Sequence, residues 1–267
     1  MEQAAAATGK DYSVPPVERA LKLLRHIGDG NTCRNLSATA SALDINRTTL
    51  IRLIHTLADN RMIEEIAHGA GYRLGVGLIS LGAQAMQGRD LVQVCQPVLA
   101  DLCAQTGMSA HMGILDGRDI VYLSRETPNT HLVSNVRAGS RLPAHASSIG
   151  RAILAQMDPA MIAATLADAP LDIRTSKTPD TLAAVLAQAA EDHAAGVAWS
   201  EGNFEAGIGS CAAVIVDHQG KPVGGLNVSG PQSIFVDEVA AGSDHIRTAV
   251  KTAAERASQA LGYVPRT

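Results

Sequence analysis

Residues 37–59 read SATASALDINRTTLIRLIHTLAD, two short helical segments joined by a tight connection, and the reading of the second decides the fold. Wound at about 100° per residue, residues 46–59 put Leu50, Leu53, Ile54 and Leu57 on one side. Thr48, Thr49, Arg52, His55 and Thr56 fall on the other. Asn46 suits the N-cap, because its side-chain oxygen can accept from a free amide of the first turn. Arg47 follows at the helix N-terminus, where recognition helices meet base edges. Only Asp59 is acidic on the exposed face, at its far end. Hydroxyls, an imidazole and guanidinium groups are the donors that phosphates and base edges accept. The competing reading is an ordinary amphipathic helix with a solvated polar face, and the flanking sequence decides between them.

Working outward, Pro15-Pro16 opens a helix, as proline does in a first turn, with Val17, Ala20, Leu21, Leu24 and Ile27 as its apolar stripe. Gly28 to Asn31 ends it. A second helix spans about Ser37 to Leu43, and the recognition helix follows. Met62 to Ile66 reads as a short strand, Ala67 to Gly71 as a turn with His68 at its tip, and Tyr72-Arg73-Leu74 as the returning strand. Three helices and a hairpin make a winged helix-turn-helix, in which Arg73 and the wing are placed to touch the sugar-phosphate backbone. A winged helix used for protein contact stays open as an alternative. Gly75 to Gly88 reads as a linker helix; Gly75-Val76-Gly77 lacks the third glycine and the preceding strand of a nucleotide-binding loop.

The rest of the chain mixes periods. Leu91 to Thr106 is helical, with Pro97 kinking it or starting a new helix. His111–Leu115 and Ile120–Leu123 form a hairpin about Asp116 to Asp119, and His131 to Val136 is a third strand. Residues 159–167 and 179–195 are alanine-rich helices. Ser210–Val216 and Pro222–Ser229 are strands, and a last helix runs from about Asp237 to Leu261, its stripe being Val239, Ile246, Val250, Ala253 and Ala257. This is an α+β domain, an antiparallel sheet flanked by helices. The expected division is a disordered tail over 1–13, a winged helix-turn-helix over 14–74, a linker helix over 75–90 and an effector domain over 91–262.

Composition sets the bounds. The 267 residues suffice for two domains and a sizeable core. No apolar run is long enough for a membrane span, and the polar start MEQAAAATGKDYS is no signal peptide. Cys33, Cys95, Cys103 and Cys211 show no CxxC and no zinc spacing, so buried thiols in a reducing cytoplasm are expected and no metal or cofactor is. Residues 1–90 carry ten Lys/Arg against nine Asp/Glu, and residues 91–267 carry twelve against seventeen. So faintly basic an N-terminal part needs a focused face and more than one copy per DNA site, which argues for a dimer.

The whole pattern resembles the IclR family of bacterial transcriptional regulators. The resemblance covers about residues 14–262 and rests on VPPVERALKLL, NRTTLIRLIHTLADNRMIE, GYRLG, DGRDIVYLSR, RLPAHASSIGRAILA and GGLNVSGP in that order. It implies an N-terminal winged helix for operator DNA, a C-terminal GAF-like effector domain, and homodimers often paired into tetramers. In RLPAHASSIGRAILA a loop runs into a helix whose first amides, at Ser148, Ile149 and Gly150, form either an anion site or the start of a plain capped helix packed on the sheet, and the resemblance favours the first. The resemblance implies that a small organic acid binds there, with Ser200, Ser210, Asn227 and Ser229 on the other wall and Leu142, Ala144 and Trp199 as apolar lining. Ser200-Glu201 stands where many relatives have two aspartates, and Ser210 where many have cysteine. These departures point away from a glyoxylate-type ligand and toward an aromatic carboxylate or a related acid.

Two further readings complete the expectation. His145 is a proton switch, a ligand contact or, as the simpler role, a side chain that holds a backbone carbonyl; His111 and Asp116 need no function. No nucleophile elbow, HExxH or P-loop occurs, and Cys211 with His145 as a thiol–base pair is all that an enzyme reading offers. The other alternative is a sensing dimer without DNA binding, against which Arg47, Thr48, Thr49 and Arg52 stand.

Overall fold

A computed structural model describes residues 13–87, 90–128, 136–236 and 241–264. The chain forms two compact units, dividing between residues 88 and 89. The expected tail over 1–13 lies outside the described residues except for Ser13, as do residues 131–135 of the anticipated third strand and residues 237–240 of the last helix.

The first unit holds helices α1 (Pro15–Gly28), α2 (Leu36–Ala42) and α3 (Arg47–Asp59), strands β1 (Ile63–Ile66) and β2 (Gly71–Leu74), and helix α4 (Val76–Gln87). Local chemistry explains each boundary. Asn35 accepts from the amides of Ser37 and Ala38 to cap α2, and Asn46 accepts from the Thr49 amide at 2.8 Å to cap α3. Leu50, Ile54 and Leu57 of α3 meet Leu23 and Ile27 of α1, Ala40 and Ile63 in one core. The α1 stripe is rotated from the one expected. Leu23 and Ile27 are buried, while Val17 and Leu21 stand about half exposed, because α3 and β2 cover only one side of α1. β1 and β2 pair antiparallel, Ile63 opposite Leu74, and the hairpin tip puts His68 at a left-handed φ of 61°.

Gly75 and Gly77 have a packing reason. A Cβ on either would stand 2.3 or 2.7 Å from the Arg61 carbonyl oxygen. The Gly77 amide donates to that oxygen and the Gly75 amide to Met62, so α4 starts flush against the base of the wing.

Among the described residues the second unit holds a six-stranded, wholly antiparallel sheet in the order β5-β4-β3-β8-β7-β6. Its strands are β3 (Ser109–Asp116), β4 (Asp119–Glu126), β5 (Arg141–Pro143), β6 (Ala198–Ser200), β7 (Ile208–Val216) and β8 (Pro222–Pro231). Its helices are α5 (Asp90–Thr106), α6 (Ser148–Leu154), α7 (Pro159–Leu166), α8 (Leu182–Ala195), α9 (Ser233–Val236) and α10 (Ala241–Ala260). Pro97 lies inside α5 and does not start a new helix. The alternation of strand side chains sorts two cores. Ala110, Met112, Cys211, Ala213, Leu226 and Val228 face α5 and α10. Ile120, Tyr122, Leu142, Ala198 and Ala212 face α6 and α8. Ile246, Ala249, Val250, Ala253, Ala254 and Ala257 of α10 continue the first of these. Among the described residues no helix is long and apolar enough to cross a membrane.

Candidate functional site

On α3 the expected face is open. Asn46, Arg47, Thr48, Arg52 and His55 are exposed, Thr49 is half-buried, and neither arginine has an ion pair among the described residues. Thr56 turns its hydroxyl back to the Arg52 carbonyl at 2.8 Å and so offers no free proton outward. The wing is different. Arg73 is bound to Glu64 of β1 through Nη2 at 3.0 Å and Nε at 3.2 Å, while the other Glu64 oxygen accepts from the Val76 amide at the start of α4. The Val76 amide and Arg73 hold the Glu64 carboxyl below its usual range. Arg73 remains two-thirds exposed, but a phosphate must share it with Glu64.

In the second unit the α6 face of the sheet carries two adjacent polar rows. Register puts Ser109, Ser229, Ser210 and Ser200 side by side across β3, β8, β7 and β6. The next row runs from Arg125 through His111 to Asn227. Over these rows sits a small cavity of about 40 Å³, lined by His111, Tyr122, Val136, Leu142, Ser147, Ser148, Ser200, Phe204, Glu205, Ile208, Ser210, Asn227 and Ser229.

The cavity's hydrogen bonds form one network. Ser147 caps α6, its Oγ accepting from the Gly150 amide at 3.2 Å, which leaves the amides of Ser148 and Ile149 without a partner among the described residues. Ser210 Oγ donates to Ser148 Oγ at 3.0 Å, and Asn227 Nδ2 donates to the same oxygen at 3.1 Å. Asn227 Oδ1 in turn lies 3.0 Å from His111 Nδ1. Ser229 Oγ and His111 Nε2 are buried with no partner among the described residues. Burial is the first cause that holds His111 neutral, lowering it to about 4, against a smaller opposing effect of the Asn227 bond.

Several expected contacts change role. Trp199 does not line the cavity: it is the middle residue of β6, so alternation sends it to the opposite face, where its indole donates to the Phe235 carbonyl and lies under Arg247. Ala144 is fully buried behind the cavity wall, and Gly150 allows it to be there, since a Cβ on Gly150 would stand 2.2 Å from the Ala144 carbonyl oxygen. Ile149 packs its side chain into the α6–α8 core, leaving only its amide for a ligand. Ser200 lines the cavity but spends its hydroxyl on Asn203, whose own amide group reaches Lys177. Leu142, Ser148, Ser210, Asn227 and Ser229 do come together. His111, contrary to expectation, is part of the wall, Phe204 and Glu205 enter from the loop that the Ser200–Asn203 bonds hold, and Ile208 from the start of β7. His145 lies outside the cavity with Nε2 3.2 Å from the Asp172 carbonyl oxygen, the geometry of a loop-holding side chain.

Helix α6 is anchored from behind. Arg151 meets Asp192 of α8 in a bidentate pair, Nε to Oδ2 at 2.9 Å and Nη2 to Oδ1 at 2.7 Å, with both side chains almost wholly buried. Burial still pushes Asp192 above its usual range.

Two family models match the chain: the IclR helix-turn-helix domain over residues 16–67, and the bacterial transcriptional regulator IclR C-terminal domain over residues 83–259. The chain belongs to the IclR family of bacterial transcriptional regulators. Among curated relatives, the IclR-family chain is 29% identical to the HTH-type transcriptional regulator XynR of Escherichia coli, covering 94% of this chain and 98% of that one. It is 30% identical to the regulator BhcR of Paracoccus denitrificans, over 80% of this chain and 77% of that one. Among solved structures, an IclR transcriptional regulator from Alicyclobacillus acidocaldarius superposes with a TM-score of 0.78 at 24% identity, covering 94% and 100% of the two chains. An IclR homolog from Microbacterium hydrocarbonoxydans complexed with 4-hydroxybenzoate gives 0.78 at 22% identity, over 92% and 98%. The protein is thus a DNA-binding transcriptional regulator of the IclR family and not an enzyme. Cys211 and His145 do not come together. Cys211 faces the α5–α10 core, its thiol pushed up to about 12 by burial, while His145 stands among residues of α6 and α8.

Proposed function

We propose that this IclR-family regulator binds its operator as a homodimer, or a pair of dimers, under the control of a small organic acid held in the second unit. Each α3 enters a major groove of one half-site, with Arg47, Thr48, Thr49 and Arg52 toward base edges and His55 and Arg73 toward the backbone. The observation that carries the DNA half is the uncompensated Arg47–Arg52 face on a capped helix inside a matched helix-turn-helix domain.

The observation that carries the effector half is the donor set of the cavity. Both lone pairs of Ser148 Oγ are taken, by Ser210 and Asn227, so its own proton is left to donate into the cavity beside two first-turn amides. A carboxylate is the group such donors fit, and an aromatic acid suits the Tyr122, Leu142, Phe204 and Ile208 walls. The acid shifts the placement of the two α3 helices by no more than its differential affinity for the two states.

Fluorescence anisotropy with DNA from upstream of the protein's own gene, against an unrelated duplex at two salt concentrations, tests the reading. Preference for the upstream duplex at the higher salt is expected. Arg52→Ala should cost about 1–3 kcal/mol of that affinity if Arg52 reads a guanine; an unchanged affinity removes Arg52 from the interface. A candidate acid should shift the binding curve of the wild type, and no shift by any acid would count against the effector half.

A further inference from the structure

The acid-effector reading leaves the far side of the cavity unexplained, and its polarity is the reverse of the Ser148 end. Asn227 Nδ2 donates to Ser148 Oγ, which turns Oδ1 toward His111. Nδ1 of His111 therefore carries the ring proton and donates it to Asn227. A neutral imidazole has a single N–H, so Nε2 is a bare acceptor, and it is the atom that stands buried without a partner in a side chain 2% exposed. The second acceptor is Glu205. Glu205 is among the residues that line the same cavity, it is exposed, and its carboxylate has no donor among the described residues. Lysine and arginine are missing from the lining residues, so nothing in the wall neutralises that carboxylate.

Resting on the acid-effector reading, we propose that the cavity selects acids that also carry a hydroxyl, with His111 Nε2 and the Glu205 carboxylate receiving the ligand's O–H groups while Ser148 holds its acid group. An acid whose far end is hydrocarbon leaves a buried acceptor unpaired and places its own charge near Glu205 with no return. A hydroxylated acid meets both acceptors. A buried acceptor left without a donor is what makes polar sites reject analogues lacking the hydroxyl. The low proton affinity of His111, set by burial and opposed only in part by Asn227, keeps Nε2 an acceptor at neutral pH.

Two matched pairs of probes separate the two sources of such ligands: 4-hydroxybenzoate against 4-methylbenzoate for aromatic acids, and glycerate against butyrate for aliphatic ones. Each is titrated calorimetrically into the full-length protein at neutral pH. The hydroxylated member of at least one pair should bind tenfold or more tightly than its partner. That gap should shrink several-fold in His111→Phe and in Glu205→Ala; the latter is exposed and leaves the fold alone, and thermal unfolding of the former checks its fold. Equal or tighter binding of the unhydroxylated members overturns the proposal and leaves the acid-effector reading standing. A hydroxyl preference that survives unchanged in both variants overturns the assignment to His111 and Glu205. Failure of all four acids to bind overturns the acid-effector reading and the proposal with it.

Discussion

His111 shows how a single side chain acquires its character from three strands. Read along the sequence, HMGIL is a strand with a histidine at one end, and nothing nearby in the chain gives that histidine a task. Its partners, Asn227 and Arg125, lie far off in sequence and meet it only through the β3–β8 and β3–β4 registers. Asn46 is the opposite case: cap and capped amide are three residues apart, and the sequence shows both. The burial of His111 has a measurable consequence. Its folded-state proton affinity, at about 4, is below the ordinary 6.5. Between those values the unfolded chain takes up a proton that the folded chain does not. Stability is therefore full above about pH 6.5 and falls as the pH drops toward 4, by up to about 3 kcal/mol from this group. His145, also lowered chiefly by burial, adds to the same trend. Urea titrations followed by Trp199, the chain's one tryptophan, should show this loss, and His111→Gln should flatten the slope. An identical slope in the variant would assign the loss to other groups.

At the level of elements, periodicity and local chemistry in the sequence already indicate the helix-turn-helix, the wing, the β3–β4 hairpin and the loop leading into α6. What they leave out is depth. Trp199 belongs to a strand of three residues, too short for its period to show which face it takes, and the fold sends it away from the cavity. Phe204 and Glu205 sit in an irregular loop with no period at all, and they reach the cavity because Ser200, Asn203, Lys177 and Thr178 pin that loop. Arg151 is the further example: nothing in the short segment SIGRAIL singles it out, yet it is the buried anchor of α6. Because α6 presents Ser148, its anchoring bears on the cavity. Removing one partner of a buried, bidentate pair leaves the other charge uncompensated, at a cost of about 3–5 kcal/mol. Arg151→Ala should lower stability by that amount in denaturant titrations monitored at Trp199. A loss under about 1 kcal/mol would mean that water or Gln188, 3.3 Å from Asp192 Oδ1, takes over the pairing.

At the scale of the whole molecule, the first unit is too small to hide its own apolar surface. Val17 and Leu21 of α1 and Val76, Ile79 and Leu81 of α4 are about half exposed or more, Ile79 reaching 69%. Helix α4 is apolar almost throughout its length, and a helix of that composition is ordinarily covered. Its start is fixed to the wing by Gly75, Gly77 and the Glu64–Val76 bond, so whatever covers α4 also sets where the wing and α3 stand. In the dimer proposed above a second copy is the cover, and it would supply the extra phosphate contacts that a unit with a net charge near zero lacks. Ile79→Asp places a charge in the middle of that surface. It should shift the protein toward monomer in sedimentation velocity at micromolar concentration and weaken operator binding at least tenfold. It should leave the unfolding of the second unit, read at Trp199, unchanged. A variant that stays dimeric and binds DNA as well as the parent would show that the α4 face is not the dimer contact. A variant that stays dimeric but loses DNA binding would separate the two roles: α4 would position the wing and α3 without holding the copies together.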